Sequence, residues 1–343
     1  MCRKAVQNYK NSPTPARAKV IQRQILLILK QFLQILQVRG NRASLPIMSC
    51  QAQDIAKFSA ILLKESLFNG YSKNNMYLCT QIETKMNTTA REITDYMESL
   101  RDDAQRQVLM RFFKTGPGEY GEGDEFLGLK VPQTREVVKA AKDTALSEVA
   151  ELLLSHWHEV RLCGLLIMVA QFEKSATKRL ENDAEAIQKR DEIVEMYLKY
   201  AERANNWDLV DLSAPKILGH WLLLPSHLGD KVAILDSLAA SSCLWRQRMS
   251  MVCTWKTSQR GDPSWCLRYA EKHLHHPHDL MHKATGWMLR EMGKRCSMDL
   301  LRDFLRQHAH EMPRTMLRYA IEKMTETERK RWMNNITHAG WVK

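Results

Sequence analysis

The chain has 343 residues, 44% of them hydrophobic and 26% charged, with a formal net charge of +12. That is ample apolar content for a core and, by length alone, room for about two or three domains. The cysteines at 2, 50, 79, 163, 243, 253, 266 and 296 form no CxxC pair, which argues against a disulfide framework or cysteine-rich zinc site and fits reduced cytosolic thiols.

The positive charge is unevenly distributed. Residues 1–85 carry 13 Lys+Arg against 3 Asp+Glu, residues 86–240 carry 19 against 26, and residues 241–343 carry 19 against 10. The first segment is poor in acids and rich in Gln, Asn and Ser. Its apolar run from Ile25 to Val38 is interrupted by Lys30, Gln31, Gln34 and Gln37, too short and too polar for a membrane span and unlike a signal peptide. Residues 1–85 read as an accessory or poorly ordered basic extension, with Met86 a natural alternative start. The basic end at 241–343 is either a phosphate-binding surface or a solvated helical face.

Thr89-Ala90-Arg91-Glu92 is a capping box opening an apolar-periodic run. From there the pattern is helical, predicting helices over 91–113, 132–143, 146–156, 159–173, 188–203, 207–219, 229–240, 244–256, 263–272, 279–295, 297–309, 312–323 and 325–335. Strand signals are nearly absent. The Gly-rich stretch Gly116 to Gly123 lacks both the P-loop and the dinucleotide-binding pattern, so it reads as a loop rather than a phosphate cradle.

Trp207 and Asp211 fall one helical turn apart on one face. Such a pair suits a cationic or sugar-like transition state, and it equally suits a packed ring beside a charge near a helix start. A repeat bears on the choice. Arg248, Lys283 and Arg318 each open an apolar helical stretch, spaced 35 and then 35 residues apart, with Arg161 two longer periods upstream. Periods of this length with two helices each predict an all-α fold, an α-solenoid of HEAT-like repeats with a concave face. Arg161, Trp207–Asp211, Arg248, Lys283–Trp287 and Arg318 then fall on successive inner helices. The basic ladder fits a duplex backbone, or it caps and salt-bridges neighbouring repeats. His273, His275, His276 and His278 cluster around Pro277; their spacing suits a loop better than a zinc site.

Four stretches carry a resemblance. They are Tyr120 with Glu125-Phe126-Leu127-Gly128-Leu129-Lys130-Val131-Pro132-Gln133-Thr134-Arg135; Asn206-Trp207-Asp208-Leu209-Val210-Asp211; Leu244-Trp245-Arg246-Gln247-Arg248; and Lys283-Ala284-Thr285-Gly286-Trp287-Met288-Leu289-Arg290-Glu291. In this order, on a helical repeat, the chain resembles the AlkD-type alkylpurine DNA glycosylases over roughly residues 91–335. The resemblance implies a DNA glycosylase domain over 86–343 that releases cationic N3- or N7-alkylated purines from double-stranded DNA. It implies Asp211 as the catalytic carboxylate, Trp207 and Trp287 as aromatic contacts to the lesion nucleotide, and Arg248 and Tyr120 as backbone contacts. Lys283, Arg161 and Arg318 complete the expected DNA-binding set. Asn206 stands where many relatives carry an aromatic residue. No metal or cofactor, no membrane and no lyase activity are expected, and a groove of this size works as a monomer. The implied location is cytoplasmic, of bacterial type, nucleoid-associated on DNA. Two other readings use the same residues: a HEAT-repeat DNA-binding protein without catalysis, and a scaffold for protein partners. Retention of Asp211 with both tryptophans favours the enzyme.

Overall fold

The computed structural model describes residues 89–338, with side chains through Asn334. The readings of residues 1–85 lie outside the described residues. The chain divides after Glu83, and everything below concerns the second unit. It is all-α: among the described residues there is no strand, only an isolated bridge between Glu125 and Trp157. None of the described helices is long and apolar enough to cross a membrane.

Helix α1 (Ala90–Ser99) starts on the expected capping box. The Thr89 hydroxyl accepts from the Glu92 N–H at 3.2 Å, and the Glu92 carboxylate accepts from the Thr89 N–H at 2.9 Å. The single helix expected over 91–113 is instead two. Asp102 donates its N–H to Leu127 O at 3.0 Å and accepts from Gln105 N at 2.9 Å, so it ends one helical path and caps the next, α2 (Asp103–Phe112). None of the α2 residues is buried.

A glycine-rich loop leads to α3 (Val131–Ala141), α4 (Leu146–Leu154) and α5 (His158–Ser175). Next come α6 (Ala184–Lys199), α7 (Trp207–Ser213) and α8 (Leu218–Trp221). The helix expected over 207–219 breaks because Pro215 has no N–H to donate and its ring collides with the preceding turn. Helices α9 (Lys231–Ala239), α10 (Leu244–Val252) and α11 (Thr254–Gln259) follow. The stretch expected as one helix over 244–256 divides at Cys253. Around it Ser250, Thr254 and Thr257 donate their hydroxyls back to Gln247 O, Met251 O and Thr254 O at 2.6, 2.8 and 3.0 Å, a pattern that bends helices. The chain ends with α12 (Ser264–Lys272), α13 (Asp279–Arg295), α14 (Met298–His308), α15 (Arg314–Ala320) and α16 (Glu326–His338).

The helices stack in a solenoid-like succession. In one row α5 packs on α7, α7 on α10, α10 on α13 and α13 on α15. In a second row α6 packs on α8 and α8 on α11. Between them lies one continuous apolar core that includes Phe172, Leu209, Trp221, Met249, Met288 and Leu317. Glycines set the closest approaches. A Cβ on Gly219 would lie 2.2 Å from Cys253 O, and one on Gly286 would lie 2.3 Å from Met316 O, so only hydrogen fits where α8 meets α11 and α13 meets α15. The first row carries the expected residues, with Arg161 the fourth residue of α5 and the next four in one register. Asp211, Arg248, Lys283 and Arg318 are each the fifth residue of α7, α10, α13 and α15.

Candidate active site

The first turn of α5 builds the floor of the site. Glu159, 2% exposed, accepts from the N–H groups of Leu127, Gly128 and Leu129, each at 2.9 Å. This pins the Phe126-Leu127-Gly128-Leu129 stretch. Gly128 is required there, with φ +93° and room for no Cβ, which would fall 2.1 Å from Asp102 O. Beside Glu159, the His158 ring bridges Asp124 (Nδ1, 2.7 Å) and Asp208 (Nε2, 2.9 Å). Burial alone would lower the His158 pKa, but the two carboxylates outweigh it and raise it to about 9. Burial likewise pushes the Asp124 carboxyl up, and His158 and Arg161 together bring it below the usual aspartate value.

This buried chain of alternating charge fixes α7. Asp208 lies in its first turn, 6% exposed, tied to His158, a structural helix-start acid as its position suggests. The Asn206 side chain, fully buried, accepts from Trp207 N at 2.9 Å as the cap. Trp207 is then half-buried, its indole 5.4 Å from the Phe113 ring and 5.9 Å from that of Phe112.

One turn on, Asp211 meets Arg248. The Arg248 Nε donates to Asp211 Oδ1 and its Nη2 to Oδ2, both at 2.9 Å, a bidentate pair; Nη1 donates to Leu280 O at 2.7 Å. The Asp211 side chain is 16% exposed and that of Arg248 6%. Burial raises the Asp211 pKa above an ordinary aspartate, and the Arg248 charge and hydrogen bonds work against that rise. The result is a shielded carboxylate paired with its arginine, one helical turn from Trp207.

The other expected residues fall as follows. Tyr120 is half-buried, edge-on to Trp245 at 6.3 Å. Lys283 is partly exposed and pairs with Asp279 at 2.7 Å. Trp287 is half-buried on α13, packed against the core. Arg318 is exposed on α15.

Two expectations need correction. Arg161 does not face DNA: it is 2% exposed and its guanidinium is spent on Asp124, Ser155 O and His156 O. A charge sunk this deep is there to balance another buried charge, since leaving Asp124 unpaired would be costly. Arg248 is not a free phosphate ligand either, because its first partner is Asp211 and three of its N–H groups are committed. The histidines near Pro277 are engaged locally: His273 with Ser250 at 2.8 Å, His276 with Gln247 at 2.8 Å, and His278 capping α13 through Leu280 N at 3.1 Å. Among the described residues no group of three or more His, Cys, Asp or Glu is arranged to hold a metal.

The motif reading missed Asp124, His158, Glu159, Phe112 and Phe113. A signal was present for some of them. His158, Glu159 and Arg161 are charged or titratable residues opening the otherwise apolar run Val160 to Ala170, and such residues on a helix buried all round need partners.

The fold is an all-helical, solenoid-like stack, and comparison with known families supplies its class. The chain belongs to the DNA alkylation repair enzyme family, whose sequence model matches residues 93–324. Its work is the repair of alkylation damage, and its partner is DNA. No curated protein matches the chain.

Proposed function

We propose that the protein is a monofunctional DNA glycosylase that hydrolyses the N-glycosidic bond of cationic N3- or N7-alkylated purines in duplex DNA. The observation that carries this reading is the Asp211 carboxylate, gripped by Arg248 at 2.9 Å and set one turn from Trp207. Alkylation at N3 or N7 leaves the purine positively charged. When the C1′–N bond breaks, its electron pair moves to the base, which departs neutral and needs little acid assistance. The cost lies in the oxocarbenium-like sugar. A fixed carboxylate in a shielded site offsets that charge without reorganising. Water then bonds to C1′ and its proton passes to Asp211 and on to solvent. The indoles of Trp207 and Trp287 suit contact with the sugar and a nearby cation.

In this reading the row α5, α7, α10, α13 and α15 forms the DNA-facing side of HEAT-like repeats. Lys283 and Arg318, with Tyr120, take backbone phosphates. Arg248 serves chiefly to hold Asp211 ionised and aimed; its remaining N–H groups are what it has left for phosphate. The protein works as a monomer, without cofactor, at the DNA of a bacterial-type cytoplasm. A DNA-binding protein without catalysis is the second reading, favoured by the fact that both Asp211 oxygens accept from Arg248. Each carboxylate oxygen keeps a second lone pair, so the first reading stands.

Base release from duplex containing 7-methylguanine separates them. Asp211→Asn is expected to lose roughly a hundredfold or more of the rate while still binding duplex. Equal release by both proteins removes Asp211 from the chemistry, and no release by the unaltered protein leaves the binding-only reading. A melting curve run alongside registers the stability lost when Arg248 faces a neutral amide.

A further inference from the structure

Helix α2 ends in an apolar residue that the core does not use. Phe112 is 60% exposed, and Val108, one turn earlier on the same side, is 49% exposed. Leaving a phenylalanine in water forgoes the stabilisation of burying it, so an exposed ring is informative when it is also held still. Phe112 is held. Its ring stands edge-on to Phe113 at 5.0 Å and 86°, and edge-on to Trp207 at 5.9 Å and 69°. Phe113 is itself fixed, stacked on Phe126 at 5.2 Å and 14°, and Phe126 is stacked on the His158 ring at 4.3 Å. A ladder of rings therefore runs from the buried charge network to the surface, and Phe112 is its open end, in contact with the indole one turn from Asp211. Exposed Arg111 adds a cation beside it.

We infer that Phe112 is a base-stacking residue: its open ring receives a nucleobase of the strand that carries the lesion, and it favours duplex whose stacking is already broken at the damaged site. Every base has a π-face, and a preset aromatic ring meets it with little ordering cost. Intact duplex keeps its bases stacked on one another and gains little from the contact. Phe112 touches no reacting atom; it contributes affinity and discrimination, not chemistry. The inference rests on the reading of the site as a DNA-lesion site.

The test compares the full chain with Phe112→Ala, Phe112→Leu and Phe112→Trp. Each is titrated by fluorescence anisotropy with a duplex bearing a tetrahydrofuran abasic analogue and with the undamaged duplex. A second damaged duplex carries 2-aminopurine next to the lesion, whose emission is quenched when an aromatic ring stacks on it. Phe112→Ala and Phe112→Leu are expected to weaken binding to the damaged duplex by roughly tenfold or more, to leave the undamaged duplex within about twofold, and to abolish the quenching; Phe112→Trp keeps both affinity and quenching. An unchanged affinity in Phe112→Ala, or full rescue by Phe112→Leu, overturns the stacking role. Two controls separate the readings. If the unaltered protein binds neither duplex, the DNA-lesion reading fails and this inference with it. If it binds and releases base while Phe112→Ala binds equally well, only the role of Phe112 fails.

Discussion

Asp211 shows how a single residue acquires its chemistry from its neighbours. Burial pushes its pKa up, and Arg248 opposes that push with a charge and two hydrogen bonds. The proposed glycosylase reaction needs the ionised form, so its rate is expected to fall as pH drops through the Asp211 pKa. In Arg248→Gln the opposing cation is gone, and burial acts unopposed, with the Asp208 charge pushing the same way. The acid limb of the base-release profile is therefore expected to move to higher pH, with rate recovered as pH is raised. An acid limb in the same place would mean that Arg248 does not tune the carboxylate. Neither the pKa direction nor the arginine's role is readable from the chain. The pairing joins residues 37 apart, and local spacing suggests only that each lies on an apolar helix.

At the scale of elements, the row α5, α7, α10, α13 and α15 repeats one position in different states. Its equivalents are a carboxylate on α7, a buried cation on α10, a half-open cation on α13 and an exposed cation on α15. Arg161, near the start of α5, has the same sequence appearance but is buried against Asp124, unlike Lys283 and Arg318. The two kinds of arginine and lysine separate by experiment. Arg161→Ala is expected to cost about 3–5 kcal/mol of stability in a denaturant titration, because Asp124 is left buried without its partner. Lys283→Ala is expected to leave stability nearly unchanged and to reduce the slope of log affinity against log salt by about 1. Reversal of these outcomes would return Arg161 to the phosphate contacts and remove Lys283. Helix breaks follow the same division. The start at Thr89 is local, a reciprocal pair of hydrogen bonds within four residues, and is legible. The break at Asp102 depends on Leu127 O, which comes from a distant loop, and the periodicity of residues 91–113 runs straight through it.

At the scale of the molecule, the family match over residues 93–324 and the stacked unit described from residue 89 cover the same part of the chain. A chain begun at Met86 is expected to fold cooperatively and to release 7-methylguanine at the rate of the full chain. Failure to refold, followed by far-ultraviolet circular dichroism, would show that the first 85 residues contribute to the folded unit. The excess of cations over acids in residues 241–343 matches a unit whose later helices in the row present Lys283 and Arg318, the surface expected to meet phosphate.

The sequence by itself determined the all-helical class, the starts of α1 and α7, and the register that places Arg248, Lys283 and Arg318 alike. Each of these rests on periodicity or on hydrogen bonds within a few residues, which the order of side chains encodes directly. The tertiary structure decided which cations are buried and which are free, that Arg248 clamps Asp211, that His158 links Asp124 to Asp208, and that Phe112 stands open beside Trp207. Those outcomes depend on burial and on partners tens of residues away, and a charge or a ring takes its role from what surrounds it in space.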